Sequence, residues 1–546
     1  MKLHVFLAVL TVCAAVAIAP GEGEACTNIL VTPGASADGS AMITYACDGR
    51  FHARLRNREA EDHEPGSVVE LRSWGGELRG TIPQVDHTFK VVGLMNEHQL
   101  AIAETTTTGR EELVDPEGLL HYWDLMQLAL ERARTAREAI EVMTSLIAEH
   151  GYRSTAESFA VADPDEVWLM EMTGKGPGRT GAVWVALRVP NGSISAYANG
   201  MRIRSFPLDE PERCLYSPDV IDFAVEQGFW DPTSGEPFDF AAAYDAPTAQ
   251  SRRYTATRVW SVFRRAAPSL EDELDPAYHR GDPDAQPYPL WIEPDEKLAV
   301  GDVMGLMRDH YEGTPYDMTR GLDAGPFGTP NRWRPMTFEV DGELYSWERP
   351  ISTQQTGFSF VSQSRSWLPD PIGGVYWYGV DDTSMTCYVP LYAGIEALPP
   401  SYTAGALSSF SWDSAWWVFN LVANFANLKY SYMAPEIHAV QQDLEGTALA
   451  IQPAVEKVAV QLWQEDPDLV RRFLTDYSVG HAEEVVRRWK QLAEQLFTRY
   501  NDGYVAEEGA DPERGYPQGW LEEVVRRRGD DLRLAQPEPT DVELPY

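Results

Sequence analysis

The feature that most constrains this chain is a cysteine at the junction of two unlike segments. Residues Val5 to Ala19 are an apolar run behind one basic residue, Lys2. That is the layout of a secretory signal, not of a spanning helix with charged flanks on both sides. Gly23-Glu24-Ala25-Cys26 follows, with small residues where a signal peptidase reads, so cleavage after Ala25 would make Cys26 the first residue of the mature chain. Cys26 then opens a stretch with strand character. Thr27 to Val31 is β-like, Pro33 to Ser40 is a turn cluster, and Ala41 to Tyr45 returns. A chain cut here has to fold with its own N-terminus at the head of a hairpin strand, which is a rigid mount for a reactive group. A terminal cysteine carries a nucleophile and a base in one residue: the thiol titrates at about 8.5 and the α-amine at about 8, so proton exchange between them is nearly balanced. Two other readings stand beside this one. Cys26 could be the lipidated residue of a bacterial lipoprotein, although Gly23 stands where an aliphatic residue is wanted. It could also be a small buried hydrophobe.

Composition narrows the partners. Eighty-three acidic residues against 45 Lys and Arg give a net charge of −38, which argues against nucleic acid and anionic membrane surfaces. With 44% apolar residues, 17 Trp and 24 Tyr, the chain can bury a large core without staples. Behind the signal, Cys26, Cys47, Cys214 and Cys387 are widely spaced and contain no C-x-x-C, so neither a zinc site nor a disulfide framework is expected. Pairing of Cys214 with Cys387 in an oxidising compartment stays open. There is no H-E-x-x-H, G-x-G-x-x-G or P-loop, and no metal or cofactor is expected.

The patterning reads as α+β. A strand pair, Phe89 to Leu94 and Leu100 to Thr106, precedes two helices, Leu119 to Arg134 and a second opened by the capping box Thr135-Ala136-Arg137-Glu138 and stopped at Gly151. Strands at Ser158 to Ala162, Glu166 to Met172, Ala182 to Val189 and Ser193 to Ala198 are separated by turn signals, including Pro190-Asn191-Gly192. Hairpin-built strands flanked by helices argue for layers, not a parallel Rossmann-like sheet. Residues 199–340 are irregular, with helices near Thr255 to Arg265 and Val300 to His310. Helical pattern dominates beyond about residue 400, at Ser414 to Leu428, Pro435 to Asp443 and Ala482 to Tyr500. The expected division is a signal over 1–25, a catalytic domain over 26–400, a helical extension over 401–528 and a mobile tail over 529–546.

Cys26-Thr27-Asn28-Ile29-Leu30-Val31 with Ala35-Ser36-Ala37-Asp38-Gly39-Ser40 resembles the start of the mature dipeptidases of peptidase family C69, in the N-terminal-nucleophile class. Further blocks are similar to the same family, in family order: Met95 to Leu100, Gly109 to Leu113, Ala162 to Trp168, Asp309 to Thr319 and Ile351 to Phe358. The resemblance implies a four-layer αββα sandwich and hydrolysis of short peptides; the C-terminal helical extension rests on the helical pattern beyond residue 400. The resemblance also implies Cys26 as nucleophile with its α-amine as base, and Asp48 as the carboxylate that holds the amine. Asn199 would be a side-chain amide for the oxyanion, and Arg258 a cation beside the thiol. One position departs from the family: relatives often place Arg three residues before the Asp, and here Tyr45 stands there. Each residue also has a plain structural reading, Asp48 and Asn199 as turn residues and Arg258 as a helix surface charge. Thr105 to Thr108 could offer hydroxyls to a substrate or simply end a strand, and His98 and His310 read as structural. The expectation is a secreted or periplasmic cysteine dipeptidase acting on a small peptide. The alternatives are an acylase of the same fold and a non-catalytic binding lipoprotein.

Overall fold

The computed structural model describes residues 25–245, 247–506 and 515–534. The expected signal therefore lies, but for Ala25, outside the described residues. The expected tail is helical to Leu532 and lies outside them beyond residue 534.

The fold is mixed helix and sheet, and it grows outward from the hairpin that Cys26 opens. Strand β1 (Ala25–Val31) pairs antiparallel with β2 (Ala41–Asp48), with Cys26 opposite Cys47 and Ala25 opposite Asp48. The turn between them is locked by Asp38, whose Oδ1 accepts from Ser36 Oγ at 2.7 Å and from the Ser40 amide at 3.0 Å. Gly39 sits there at φ +86°, where a side chain would be strained.

This hairpin is the middle of a seven-stranded sheet ordered Trp291–Ile292, Ile194–Tyr197, β1, β2, Thr356–Ser364, Val375–Val380 and Val389–Tyr392. A second sheet of eight strands contains β3 (Ala101–Thr106) beside Glu157–Ala162, Val167–Gly174 and Ala182–Arg188. Every pairing in both sheets is antiparallel.

Period-2 alternation in the second sheet feeds two cores. Ala101, Ala103, Ala160, Ala162, Val167 and Leu169 join the cluster that contains Ile29, Ile43 and Phe360 of the first sheet. Ile102, Phe159, Val161, Trp168 and Met170 join Leu125, Leu128, Ile140 and Met143 of helices α1 (Tyr122–Arg132) and α2 (Ala136–His150). Each such fully buried side chain contributes about 1.5–3 kcal/mol. Thr135 caps α2 by accepting from the Glu138 amide at 3.2 Å, and Gly151 ends it at φ +76°. The Glu138 carboxylate reaches back one residue further than a capping box requires, to the Arg134 amide at 2.7 Å.

Helix α3 (Ala249–Ala266) packs against Ile194–Tyr197 of the first sheet. Helices α4 (Ala415–Ala426), α5 (Tyr430–Glu465) and α6 (Pro467–Arg499) share its core through Val418 and Phe419, Ile437 and Leu444, and Val485 and Trp489 in turn. The residues after 400 thus cover the first sheet, and α5 runs through Pro435 and Pro453 to a length of 36 residues. No helix among the described residues is long and apolar enough to cross a membrane.

One expected connection differs. Pro190-Asn191-Gly192 does not close a hairpin, because Ile194–Tyr197 pairs with β1 in the other sheet. The turn is drawn across by contacts with the β1–β2 corner. Asn191 Oδ1 accepts from the Gly34 amide at 2.6 Å, and the Gly192 amide donates to Thr32 Oγ1 at 3.0 Å. Cys214 and Cys387 are buried and unbridged, each as a free thiol.

Candidate active site

The four residues singled out from the sequence come together around the start of β1. The Cys26 nitrogen donates to Asn199 Oδ1 at 3.0 Å. Arg258, on α3, donates from Nη1 to Cys26 O at 2.7 Å and from Nη2 to Asn199 Oδ1 at 2.8 Å. The same guanidinium reaches Thr27 Oγ1 at 2.9 Å. Burial lowers the Arg258 pKa to about 9, and the neighbouring charge of Arg349 adds to this. Arg258 therefore grips the main chain of Cys26 and does not donate to its sulfur.

Asn199 holds φ +56°, just past the end of its strand. It is pinned from several directions. Its amide N donates to Thr105 Oγ1 at 3.1 Å and its Nδ2 to Thr106 O at 2.7 Å. Beyond it, the Met201 amide donates to Asp245 and the amides of Arg202 and Ile203 donate to Glu171, so two buried acidic side chains fix the segment. The side-chain oxygen of Asn199 faces two donors, which fixes the orientation of the amide. The threonines expected to end a strand do so in the site itself: Thr105 Oγ1 also donates to Cys26 O at 3.3 Å.

Asp48 closes β2 opposite Ala25, with a side chain only 1% exposed. Its Oδ2 accepts from Arg349 Nη2 at 2.7 Å and its Oδ1 from Thr356 Oγ1 at 2.6 Å. Burial raises its carboxyl above the usual range, against the pull of Arg349 and Thr356.

The Cys26 thiol is buried as well. It lies 3.8 Å from the Tyr45 hydroxyl and 3.8 Å from Glu104 Oε1. Tyr45 donates to that same Glu104 oxygen. Burial raises the thiol pKa well above its ordinary value, and the contact with Cys47 and the negative charges of Glu104 and Asp48 raise it further. With Cys26 inside the chain, the sulfur is therefore a neutral thiol.

Tyr45 and Cys47 form part of the wall of a cavity of about 1030 Å³, together with Phe51, Trp123 and Tyr378 and with Trp74, which is 69% exposed. Asn199 borders a second cavity of about 540 Å³, lined also by Arg202, Asp245 and Thr255.

His98 and His310 pair with Asp370 and Glu312, and neither is placed at the thiol by those contacts. No group of three or more His, Cys, Asp or Glu able to hold a metal ion occurs among the described residues.

Sequence reading missed Glu104, Arg349 and Thr356. Glu104 leaves a trace, a carboxylate in the otherwise uncharged run Leu100 to Thr106. Arg349 leaves none, since it meets Asp48 across 301 positions from an irregular segment.

A buried cysteine whose nitrogen, carbonyl and sulfur are each met by fixed polar groups, beside a large cavity, has the make-up of a hydrolytic centre, and comparison with known proteins gives the class as peptidase. A family model for peptidase family C69 matches residues 25–443, starting one residue before Cys26. The chain belongs to peptidase family C69. It is 28% identical over 408 residues to a probable dipeptidase of Salmonella dublin, covering 71% of this chain and 85% of that one. It is 24% identical over 502 residues to a probable dipeptidase A of Streptococcus pyogenes serotype M3 (strain SSI-1), covering 87% and 98%. It is also 24% identical over 428 residues to dipeptidase A of Lactobacillus helveticus, covering 74% and 82%.

Proposed function

We propose that this chain is a dipeptidase with an N-terminal cysteine nucleophile, matured by cleavage after Ala25 and exported. In this reading the stacked sheets and their flanking helices are the αββα sandwich of the N-terminal-nucleophile class. The observation that carries it is the set of hydrogen bonds on the Cys26 main chain. Asn199 Oδ1 already faces the nitrogen that cleavage would turn into an α-amine, and Asp48 ends the strand paired with the residue that cleavage would remove.

The chemistry then follows from the residues in place. The free amine takes the thiol proton, and sulfur attacks the peptide carbonyl to form a C–S bond. The oxyanion is met by backbone N–H groups and by an N–H of the Asn199 amide, whose Nδ2 also holds Thr106 O. The amine returns the proton to the leaving nitrogen as the C–N bond breaks. Water, deprotonated by the same amine, adds to the thioester and releases the acid and the thiol. Asp48 supplies the negative charge that steadies the ammonium form, and Asn199 Oδ1 orients it. Arg258 fixes the strand on which the nucleophile sits.

The test is N-terminal sequencing of the secreted chain, with turnover of free dipeptides compared against fatty or aromatic acyl amides. A mature terminus at Cys26 with dipeptide turnover supports the reading. Turnover of acyl amides alone moves the protein to acylase chemistry, and a lipid adduct on Cys26 moves it to a lipoprotein.

A further inference from the structure

The larger cavity carries positive charge that the reaction above does not use. It begins beside the thiol. Tyr45, whose hydroxyl lies 3.8 Å from Cys26 Sγ, and Cys47, which pairs with Cys26 across the hairpin, both form part of its wall. From Tyr45 a run of edge-to-face ring contacts leads outward, through Phe358 at 5.5 Å between centroids and Phe51 at a further 6.2 Å, to Trp74 at a further 6.4 Å. Trp74 is mostly exposed, so the run ends in solvent.

Arg50, Arg54 and Arg56 line the same cavity and are exposed. Their segment follows β2 and is held in place by its backbone. The Leu55 amide donates to Tyr402 O at 3.0 Å, and the Gly93 amide donates to Arg56 O at 2.9 Å. Ala53 and Leu55 are buried, so the alternation along this extended stretch sends Arg54 and Arg56 the other way. The remaining charges of the wall are compensated. Glu70 pairs with Arg72, Asp124 with Arg79 and Arg58 with Glu131. Burial, with the charge of Arg54, lowers the pKa of His52, which is neutral at pH 7. Arg50, Arg54 and Arg56 form no ion pair with a carboxylate among the described residues. Three uncompensated guanidinium groups at one cavity run against the composition of a chain with 83 acidic residues and 45 Lys and Arg. Their charge is permanent, they repel one another, and a bound anion relieves that repulsion.

The distances suit a substrate held at the sulfur. Arg50 follows Cys47 by three residues, so their Cα atoms are at most about 11 Å apart. Opposed residues of an antiparallel pair, such as Cys47 and Cys26, have Cα atoms about 4.5–5.5 Å apart. The backbone of an extended dipeptide spans about 7 Å, which brings its side chains within range of this row.

We propose that Arg50, Arg54 and Arg56 form a subsite for an acidic side chain of the substrate, so that the enzyme favours peptides containing Asp or Glu. This rests on the dipeptidase reading above and adds a side-chain preference to it. A dipeptide with neutral side chains brings one carboxylate, its C-terminus, to three guanidinium groups. An acidic side chain brings a second, and the paired N–H donors of arginine match its planar oxygens.

The test compares kcat/KM of the mature enzyme for two isosteric pairs, Ala-Glu against Ala-Gln and Glu-Ala against Gln-Ala. The wild type is expected to favour the Glu member of at least one pair by at least about fivefold. In the triple variant Arg50→Gln/Arg54→Gln/Arg56→Gln that ratio should fall to about one. A wild-type ratio near one in both pairs, or a ratio that the triple variant leaves unchanged, overturns the proposal. C-terminally amidated Ala-Gln separates the two sources of carboxylate: arginines that discriminate amide from acid at the C-terminus but not Glu from Gln overturn the side-chain assignment. If the triple variant does not fold, judged by circular dichroism, the salt dependence of the wild type decides. The Debye length shrinks from about 10 Å at 0.1 M to about 3 Å at 1 M, so the Glu preference should decline over that range, and a preference indifferent to salt overturns the proposal. A wild type that cleaves none of the four dipeptides overturns the dipeptidase reading, and the subsite with it. Equal turnover of all four overturns the subsite alone.

Discussion

Replacing Asp48 by Asn separates what this residue does for the reaction from what it does for the fold. Asp48 and Arg349 are both buried, with side chains 1% and 4% exposed, and they meet at 2.7 Å. The neutral amide of Asp48→Asn would keep the shape and take the Asp48 charge away from the buried Arg349 guanidinium. Breaking a buried pair from one side costs about 3–5 kcal/mol. The unfolding entropy of a chain of this size is about 1 kcal/mol per kelvin at about 2.1 cal/mol/K per residue, so the thermal midpoint falls by only about 3–5 °C. Urea unfolding is the sharper assay. The double variant Asp48→Asn/Arg349→Met removes both charges, and such a replacement is often neutral or stabilising, so most of the lost stability should return. Turnover should not return with it. The charge that steadies the Cys26 ammonium is worth about 1.5–3 kcal/mol, or tenfold to a hundredfold in kcat, and neither variant has it. Recovery of kcat together with stability in the double variant would refute the catalytic assignment and leave Asp48 as an anchor for Arg349. Undiminished stability of the single variant would refute the ion-pair argument.

Three further outcomes follow from the same geometry. Cys26→Ala should abolish hydrolysis and Cys26→Ser should retain a trace at most, with circular dichroism unchanged; full activity in the alanine variant removes the nucleophile. A chain that stably retains Ala25 should be inactive and should alkylate slowly with iodoacetamide at pH 7, its rate rising as the pH is raised toward the elevated thiol pKa. Intact-mass measurements on cut and uncut chains check this, and equal rates would count against the amine as base. Burial lifts the Glu171 carboxyl from 4.5 to about 8, despite the amides of Arg202 and Ile203 that donate to it. A raised carboxyl favours the folded state fully below the unfolded value, and that contribution disappears as pH climbs through the folded one. Between pH 4.5 and 8 the wild type should therefore lose stability relative to Glu171→Gln, by up to about 1.4 kcal/mol per pH unit; a difference flat in pH contradicts the buried neutral acid.

What the sequence made legible was mostly local. The β1–β2 hairpin, with its turn cluster and the helix stop at Gly151, is written in residues that act on their neighbours, and it appears where expected. The length of α5 was not legible: the expected helix ran only from Pro435 to Asp443, whereas the helix that forms contains both Pro435 and Pro453. Its packed face, including Met433, Ile437, Leu444 and Ala448, carries the helix past them. The sheet switch after Ala182–Arg188 was hidden for a related reason. Pro190-Asn191-Gly192 has turn chemistry whichever sheet receives the next strand, and the bonds from Gly34 and to Thr32 that decide it come from more than 150 positions away. Cys26 was singled out by its place at the expected cleavage site, and Asp48, Asn199 and Arg258 through the family resemblance. Their contacts were not: Arg258 meets a carbonyl where a sulfur contact was implied, and Asp48 meets an arginine that no motif marks.

On the proposed reading, these contacts leave the role of base to the Cys26 α-amine. A cysteine nucleophile needs a cation or a base close to its sulfur. Here the two buried arginines of the site are turned to the main chain and to Asp48, and the imidazoles of His98 and His310 are held by carboxylates of their own. The groups that shape the thiol's titration in the uncut chain, burial, Cys47, Glu104 and Asp48, all raise it. An α-amine at residue 26 would reverse that balance, because it brings a positive charge to the atom that Asn199 Oδ1 already faces, within the field of Asp48. Asp48, one of the groups that raise the thiol before cleavage, would hold the ammonium after it. On the proposed reading, latency and activity rest on one set of residues, and the switch between them is the bond between Ala25 and Cys26.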